Sequence, residues 1–216
     1  SAMQRKSALL QKSGADPPYA PARWNGDKNG RETHNCYAYF LQDFEERNLE
    51  ANNSFPQPGA YALSNKNTMK PQASLTRRPL FFNAVDRQGV VVLRKMPDSS
   101  PYRCEQVRAA VLADNPHIYS ARRSERCAPT HYKGFFAVDS NADDSDYHFW
   151  IQNSDGTWSH KPGEENVRAT DSDGNAILDP LLSNRGRYDT ACGYFCVPAN
   201  AHIDTQSRRR ARLNEK

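Results

Sequence analysis

The sequence lacks a long apolar run, a strong excess of charge of one sign and an even number of cysteines. Its 216 residues include 29 basic and 25 acidic side chains, a formal net charge of only +4. No segment approaches the roughly 20 apolar residues that a membrane-spanning helix needs. The first residues also lack an apolar segment followed by a small-residue cleavage site. We therefore expect no membrane span, and we see no signal peptide.

The small charge excess is concentrated near one end of the chain. Much of it lies in Arg208-Arg209-Arg210-Ala211-Arg212, whereas a nucleic-acid-binding domain would carry a basic surface interleaved with aromatic residues. We therefore expect no nucleic-acid partner. The sequence predicts an N-terminal arm over residues 1–30, one folded domain over 31–205 and a solvated basic tail over 206–216. The aromatic fraction of 10% supplies large apolar surfaces for a core.

The odd cysteine count leaves two arrangements open. Either two disulfides form and Cys36 stays free, or all five thiols are reduced. Cys192 and Cys196 lie on one predicted strand about 13 Å apart, too far for a bond between them unless the strand is broken. The spacing of this pair has no zinc-binding counterpart elsewhere, so we expect no metal. The five cysteines are Cys36, Cys104, Cys127, Cys192 and Cys196.

An aromatic segment that begins with Cys36 has helical spacing. Tyr37, Phe40, Leu41 and Phe44 recur on one side, and the pattern predicts a helix of about 12 to 14 residues. Its N-cap is expected at residue 33 or 35. A second helix is predicted from residue 104, and strands are predicted over 90–93, 132–138 and 193–197.

Two histidines are predicted to meet across a hairpin. His148 lies in the strand-like segment 147–152 and His160 in the segment 157–160, and Asp155-Gly156 between them is a strong turn signal. Neighbouring antiparallel strands bring side chains within hydrogen-bonding distance. The two imidazoles are therefore expected to form a pair.

These residues together predict nucleophilic thiol chemistry. A cysteine at a helix N-terminus beside a charged imidazole can ionise below neutral pH. We expect Cys36 to be the nucleophile, His148 the general base and His160 the residue that orients it. The backbone N–H of Cys36 is the expected oxyanion donor, with His34 or Asn35 as a further side-chain donor.

The pattern resembles the NlpC-type cysteine peptidases of the papain-like superfamily. The resemblance rests on Asn35-Cys36 opening a helix, Pro58-Gly59 before a predicted strand, and a second histidine twelve residues after His148. It implies an α+β fold in which the helix carrying the nucleophile packs on an antiparallel sheet, with residues 65–130 as an insertion relative to compact members. It also implies cleavage of amide bonds in peptidoglycan stem peptides without a cofactor.

The functional expectation is therefore a cysteine peptidase or amidase, deployed as a secreted antibacterial effector or lysin. We expect a monomer that is secreted or delivered to a periplasm or target cell, with a cognate immunity or inhibitor protein as a partner. One alternative is a toxin acting on proteins as a cysteine protease, deamidase or transglutaminase-like enzyme. A second alternative is a non-catalytic binding module in which Cys36 is a buried structural thiol.

Overall fold

The computed structural model describes residues 10–26, 28–44, 57–59, 81–85, 91–95, 102–141 and 145–199. The helices are α1 (Pro21–Asn25), α2 (Lys28–Glu32), α3 (Cys36–Phe40) and α4 (Cys104–Asp114). The strands are β1 (Phe81–Val85), β2 (Val91–Lys95), β3 (Tyr119–Ala121), β4 (His131–Val138), β5 (Tyr147–Gln152), β6 (Trp158–His160) and β7 (Thr190–Pro198). The strand expected directly after Gly59 and the basic tail lie outside the described residues.

Five of the strands form one antiparallel sheet in the order β3-β7-β4-β5-β6. Strands β1 and β2 pair with each other in a separate two-stranded sheet. The predicted α+β class is confirmed. The turn at Asp155-Gly156 is also as predicted, and Gly156 has a φ of 91°, a left-handed conformation that glycine adopts without steric cost.

Each face of the five-stranded sheet packs its own apolar cluster. Side chains alternate between the faces along a strand, so Tyr147, Phe149 and Ile151 of β5 join the cluster that contains α3. Trp150 lies in the cluster on the opposite face, with Phe135 of β4. We call these the helix face and the far face. This alternation decides which functional side chains can meet.

Helix α3 sits tightly on the sheet at Gly134. A Cβ added to that glycine would overlap with Cε2 of Phe40, far inside van der Waals contact. The hydroxyl of Tyr132 donates a hydrogen bond to the Phe40 carbonyl at 2.6 Å, and the hydroxyls of Tyr39 and Ser159 are 2.7 Å apart. These contacts fix the position of the helix that begins with Cys36.

The predicted length of this helix is wrong, because α3 has five residues and then closes. The Asp43 N–H donates to the Ala38 carbonyl at 2.9 Å, and the Gln42 N–H donates to the Tyr39 carbonyl at 3.0 Å. Gln42 has a φ of 52°, so the pair of bonds forms a Schellman-type cap. The helical spacing of aromatic residues in the sequence continues to Phe44, but the left-handed conformation of Gln42 ends the helix before that residue.

Two disulfides fasten β7 to neighbouring elements. Cys104 at the start of α4 bonds Cys192, and Cys127 bonds Cys196, which leaves Cys36 as the free cysteine. The arrangement with two disulfides is therefore the one that the structure has. Cross-links of this kind are compatible with a protein that works outside the reducing cytosol.

The arm that precedes α1 lies along the sheet. The Pro17 carbonyl accepts from the Ser154 N–H at 2.8 Å, and the Leu10 carbonyl accepts from the Gln152 side chain at 3.0 Å.

Within the segment 65–130, which was predicted to be an insertion, α4 contributes Val107 to the helix-face core, and β3 pairs with β7. None of the helices in the described residues has the length and apolar character that crossing a bilayer requires.

Candidate active site

The thiol of Cys36 lies against the backbone of β5. Asn35 precedes α3 in an extended conformation, and its side-chain oxygen caps the helix by accepting from the Ala38 N–H at 2.9 Å. Cys36 Sγ donates to the Tyr147 carbonyl at 3.9 Å, and the Phe149 N–H also interacts with the sulfur. The thiol therefore lies beside the two residues that flank His148.

Burial is the main determinant of the pKa of the Cys36 thiol. Cys36 is 6% exposed, and desolvation raises the pKa of its thiol well above the ordinary range, with a smaller contribution from the charge of Asp146. The Phe149 N–H and the charge of Lys161 act in the opposite direction. The predicted ionisation below neutral pH is wrong for the resting structure, in which Cys36 is a neutral thiol.

His148 and His160 form the predicted pair. Nε2 of His148 and Nδ1 of His160 are 2.7 Å apart, and both side chains lie on the far face. Trp150 is the direct cross-strand partner of His160, so His148 is its diagonal neighbour on the same face. The hairpin therefore creates the contact that the twelve-residue spacing indicated.

The hydrogen bonds of this pair define which ring nitrogen is basic. The Thr170 carbonyl can only accept, so Nε2 of His160, 3.1 Å away, carries the proton. His160 is neutral near pH 7 because burial lowers its pKa to about 4, and its Nδ1 is then an acceptor. Nε2 of His148 must donate to it, which leaves Nδ1 of a neutral His148 as the unprotonated nitrogen.

Aromatic rings enclose the imidazole of His148. The Tyr188 ring stacks on it at a centroid distance of 4.8 Å, and the Trp150 ring meets it edge-on at 4.5 Å. This burial lowers the pKa of His148 well below its ordinary value. The Tyr188 hydroxyl in turn donates to Asp146 at 3.1 Å. A neutral imidazole is the form that can accept a proton.

A cavity of about 210 Å³ opens on the far face beside the two histidines. Trp150, Arg168 and Tyr188 are among the side chains that line it. Cys36 belongs instead to the helix-face cluster, and among the described residues no hydrogen bond joins its sulfur to His148. The structure thus joins the two histidines directly and brings Cys36 to the β5 backbone beside them.

The two accessory residues have structural contacts. Asn35 caps α3, and His34 is buried, with its Nδ1 3.0 Å from the Thr33 hydroxyl and its ring edge-on to Trp24 at 5.6 Å. A side-chain contribution of either residue to an oxyanion site stays a prediction. Within the described residues, no group of three or more His, Cys, Asp or Glu side chains could hold a metal ion.

Several site residues were not identified from the sequence. Thr170 acts through a backbone carbonyl, which no side-chain pattern can reveal. Tyr188 comes from a loop that precedes β7, distant in sequence from the hairpin. Lys161 follows His160 directly and could have been noticed as a cation next to a proposed site residue, although its burial was not visible in the sequence.

No protein-family model matches the chain, and no solved structure shows significant similarity to it. A segment of 59 residues is 39% identical to "Insoluble matrix shell protein 1" of Ruditapes philippinarum. The match covers 27% of this chain and about 40% of the length of that relative. The similarity to a shell matrix protein and the two disulfides are compatible with a secreted protein.

Proposed function

We propose that this protein is a cysteine hydrolase of the NlpC type that cleaves amide bonds, with peptidoglycan stem peptides as the substrate class. The observation that carries the proposal is the 2.7 Å contact between Nε2 of His148 and Nδ1 of His160. It gives the base a defined orientation, and the Cys36 thiol lies against the strand on either side of that base. A helix that begins with the cysteine and packs on an antiparallel sheet supports the same reading.

The proposed reaction begins from neutral groups. Because His148 lies on the far face and Cys36 on the helix face, the reaction requires a rearrangement that brings Nδ1 of His148 to the sulfur. In that state Nδ1 takes the proton from Cys36 as the sulfur attacks the carbonyl carbon of the amide. The C–N bond then breaks, and His148 returns the proton to the leaving amine. Water then attacks the resulting thioester and gives a proton to His148. The C–S bond breaks, His148 returns that proton to the sulfur, and the acid and the free thiol are released. His160 keeps the tautomer of His148 constant throughout, because its Nε2–H stays bonded to the Thr170 carbonyl.

Access to the sulfur is the main requirement of this mechanism. With Cys36 only 6% exposed, a substrate carbonyl reaches the sulfur after neighbouring side chains move aside. A small positive net charge of +4 suits an anionic cell wall. Delivery to a target cell and inhibition by an immunity protein belong to the proposal as expectations that follow from this substrate.

The test is digestion of purified peptidoglycan sacculi, with released muropeptides identified by mass spectrometry. We expect cleavage by the wild type and no product from Cys36→Ala or His148→Ala. His117→Ala is the matched control, because His117 is an exposed histidine away from the pair. Equal cleavage by wild type and Cys36→Ala would refute thiol catalysis. Release of ammonia from glutamine in proteins, without muropeptides, would instead favour the alternative of a protein-directed toxin.

A second candidate is a non-catalytic module of an extracellular matrix. The similarity to a shell matrix protein and the burial of Cys36 favour it. In that case the histidine pair would be a buried structural bond, and Cys36 would fill the core as a neutral thiol. Iodoacetamide separates the candidates, because Cys36 is the free cysteine and any alkylation reports on it. Complete resistance of the folded protein, without sacculus cleavage, would support the matrix module.

A further inference from the structure

Lys161 is a buried cation on the same side of the sheet as the thiol. Side chains alternate along a strand, so the residue after His160 points away from the far face and toward the helix face. Lys161 is fully buried, with no exposed fraction. Lysine is almost never buried to this extent without a partner of opposite charge, because removing an ammonium from water is costly.

The contacts of this ammonium hold it next to the segment that leads into α3. Nζ donates to the carbonyl of Arg31 in α2 at 2.6 Å and to the carbonyl of Gly163 at 2.7 Å. An ammonium has three donors. Among the described residues no carboxylate forms an ion pair with Lys161, so its charge is held by carbonyl dipoles and one N–H is left over.

Lys161 lies close to Cys36 across β5. His160 pairs with Trp150, so the register continued by one residue places Lys161 opposite Phe149, whose N–H interacts with the Cys36 sulfur. The ammonium lowers the pKa of the Cys36 thiol, and the thiolate form of Cys36 raises the pKa of Lys161. Burial is the larger effect on the lysine and brings its pKa to about 8.

Other charged groups also face the two residues. Around Lys161, Glu164 and Glu165 raise the pKa of the ammonium, and the charge of Arg31 lowers it. Around Cys36, Asp146 opposes ionisation of the thiol, and Tyr147 and Tyr188 also interact with it. Lys161 is therefore a buried positive charge whose effect on the pKa of Cys36 is opposite to that of Asp146.

We propose that Lys161 is a positioning residue that supplies the buried positive charge against which the Cys36 thiolate forms. This inference rests on the proposed function. The lysine forms no bond with the substrate and transfers no proton. It stabilises the sulfur anion while the proton resides on His148, an ionic state that this apolar face would otherwise strongly disfavour.

The experiment measures the rate of iodoacetamide alkylation of Cys36 in the folded, disulfide-bonded protein from pH 6 to pH 10. The variants are Lys161→Met and Lys161→Gln, the second of which keeps a donor for the two carbonyls. Lys133→Met is the matched control, because Lys133 is equally buried and donates to the Arg123 carbonyl, but lies on the far face. Near-ultraviolet circular dichroism confirms that each variant is folded.

At pH 7 we expect alkylation of both Lys161 variants to be about 10-fold slower than that of the wild type, since a nearby opposite charge shifts a pKa by about one unit or more. The difference in alkylation rate between the wild type and the Lys161 variants should narrow as the pH rises past about 8, where the Lys161 ammonium loses its proton. Lys133→Met should follow the wild type. A purely structural role would give a rate ratio that does not change with pH, and this result would overturn the inference.

The result also separates this inference from the proposed function. If the wild type cleaves sacculi while both Lys161 variants alkylate at the wild-type rate, the inference is wrong and the hydrolase stands. If the expected pH-dependent ratio is found without cleavage of sacculi, the role of Lys161 stands and the substrate is wrong. If wild-type Cys36 resists alkylation up to pH 10, the role of Lys161 is wrong; if sacculi are not cleaved either, the hydrolase is wrong as well.

Discussion

His160 should make the stability of the protein depend on pH. Its pKa is about 4 in the folded protein and 6.5 as the ordinary value, so between these two values the unfolded chain binds a proton that the folded protein does not. Stability therefore falls as the pH falls through this window. Integrating the linkage relation from pH 7 to pH 5 gives a loss of about 2 kcal/mol from this one group.

The assay is urea unfolding at pH 7 and pH 5, followed by tryptophan fluorescence. We compare the wild type with His160→Gln, whose amide can accept from His148 and donate to the Thr170 carbonyl without titrating. The loss of unfolding free energy between the two pH values should be about 2 kcal/mol smaller in the variant. The carboxylates contribute equally in both proteins, and burial, the main cause of the low pKa of His148, is present in both. The exposed His117→Gln exchange controls for removal of an imidazole. Equal losses in the wild type and His160→Gln would refute the buried neutral His160.

Three further outcomes follow from the fold. Replacing Cys127 and Cys196 together by alanine should lower the unfolding free energy by about 4 kcal/mol, because the bond closes a loop over a sequence separation of 69; equal urea midpoints would contradict this. Gly134→Ala should cost about 1–3 kcal/mol through its clash with Phe40, and combining it with Phe40→Leu should restore part of that loss in thermal unfolding. Asn35→Ala should cost about 1 kcal/mol by removing the cap of α3, whereas Asn35→Asp should cost less in the same urea assay.

The histidine hairpin could be predicted because all of its determinants are local. The register of the hairpin, and the face that His148 and His160 share, are specified by three local features. These are the alternation of side chains from Tyr147 to Gln152, the turn at Asp155-Gly156 and the second strand. The helix from residue 104 and the strands of the sheet followed in the same way from short segments with clear periodicity, whereas the α+β class was implied by the resemblance to the NlpC-type peptidases. Identification as an NlpC-type hydrolase stays a prediction.

The acidity of Cys36 could not be predicted from its neighbours in sequence. The helix start suggested a low thiol pKa, but the burial that raises it comes from β5 and the apolar cluster around α3. The disulfide pairing was equally inaccessible, because Cys192 and Cys196 bond to Cys104 and Cys127 only once the sheet has formed. Contacts between distant segments decide both properties.

The place of β7 in the sheet has a consequence for synthesis of the protein. This strand follows all the other described strands in sequence, yet it lies between β3 and β4 and carries one cysteine of each disulfide. A nascent chain that ends before residue 190 would leave β3 unattached and one edge of β4 open for pairing with another chain. Both disulfides can therefore form only after β7 has been synthesised. If the thiols are oxidised only after export, hydrogen bonds and apolar packing alone hold the sheet together until then.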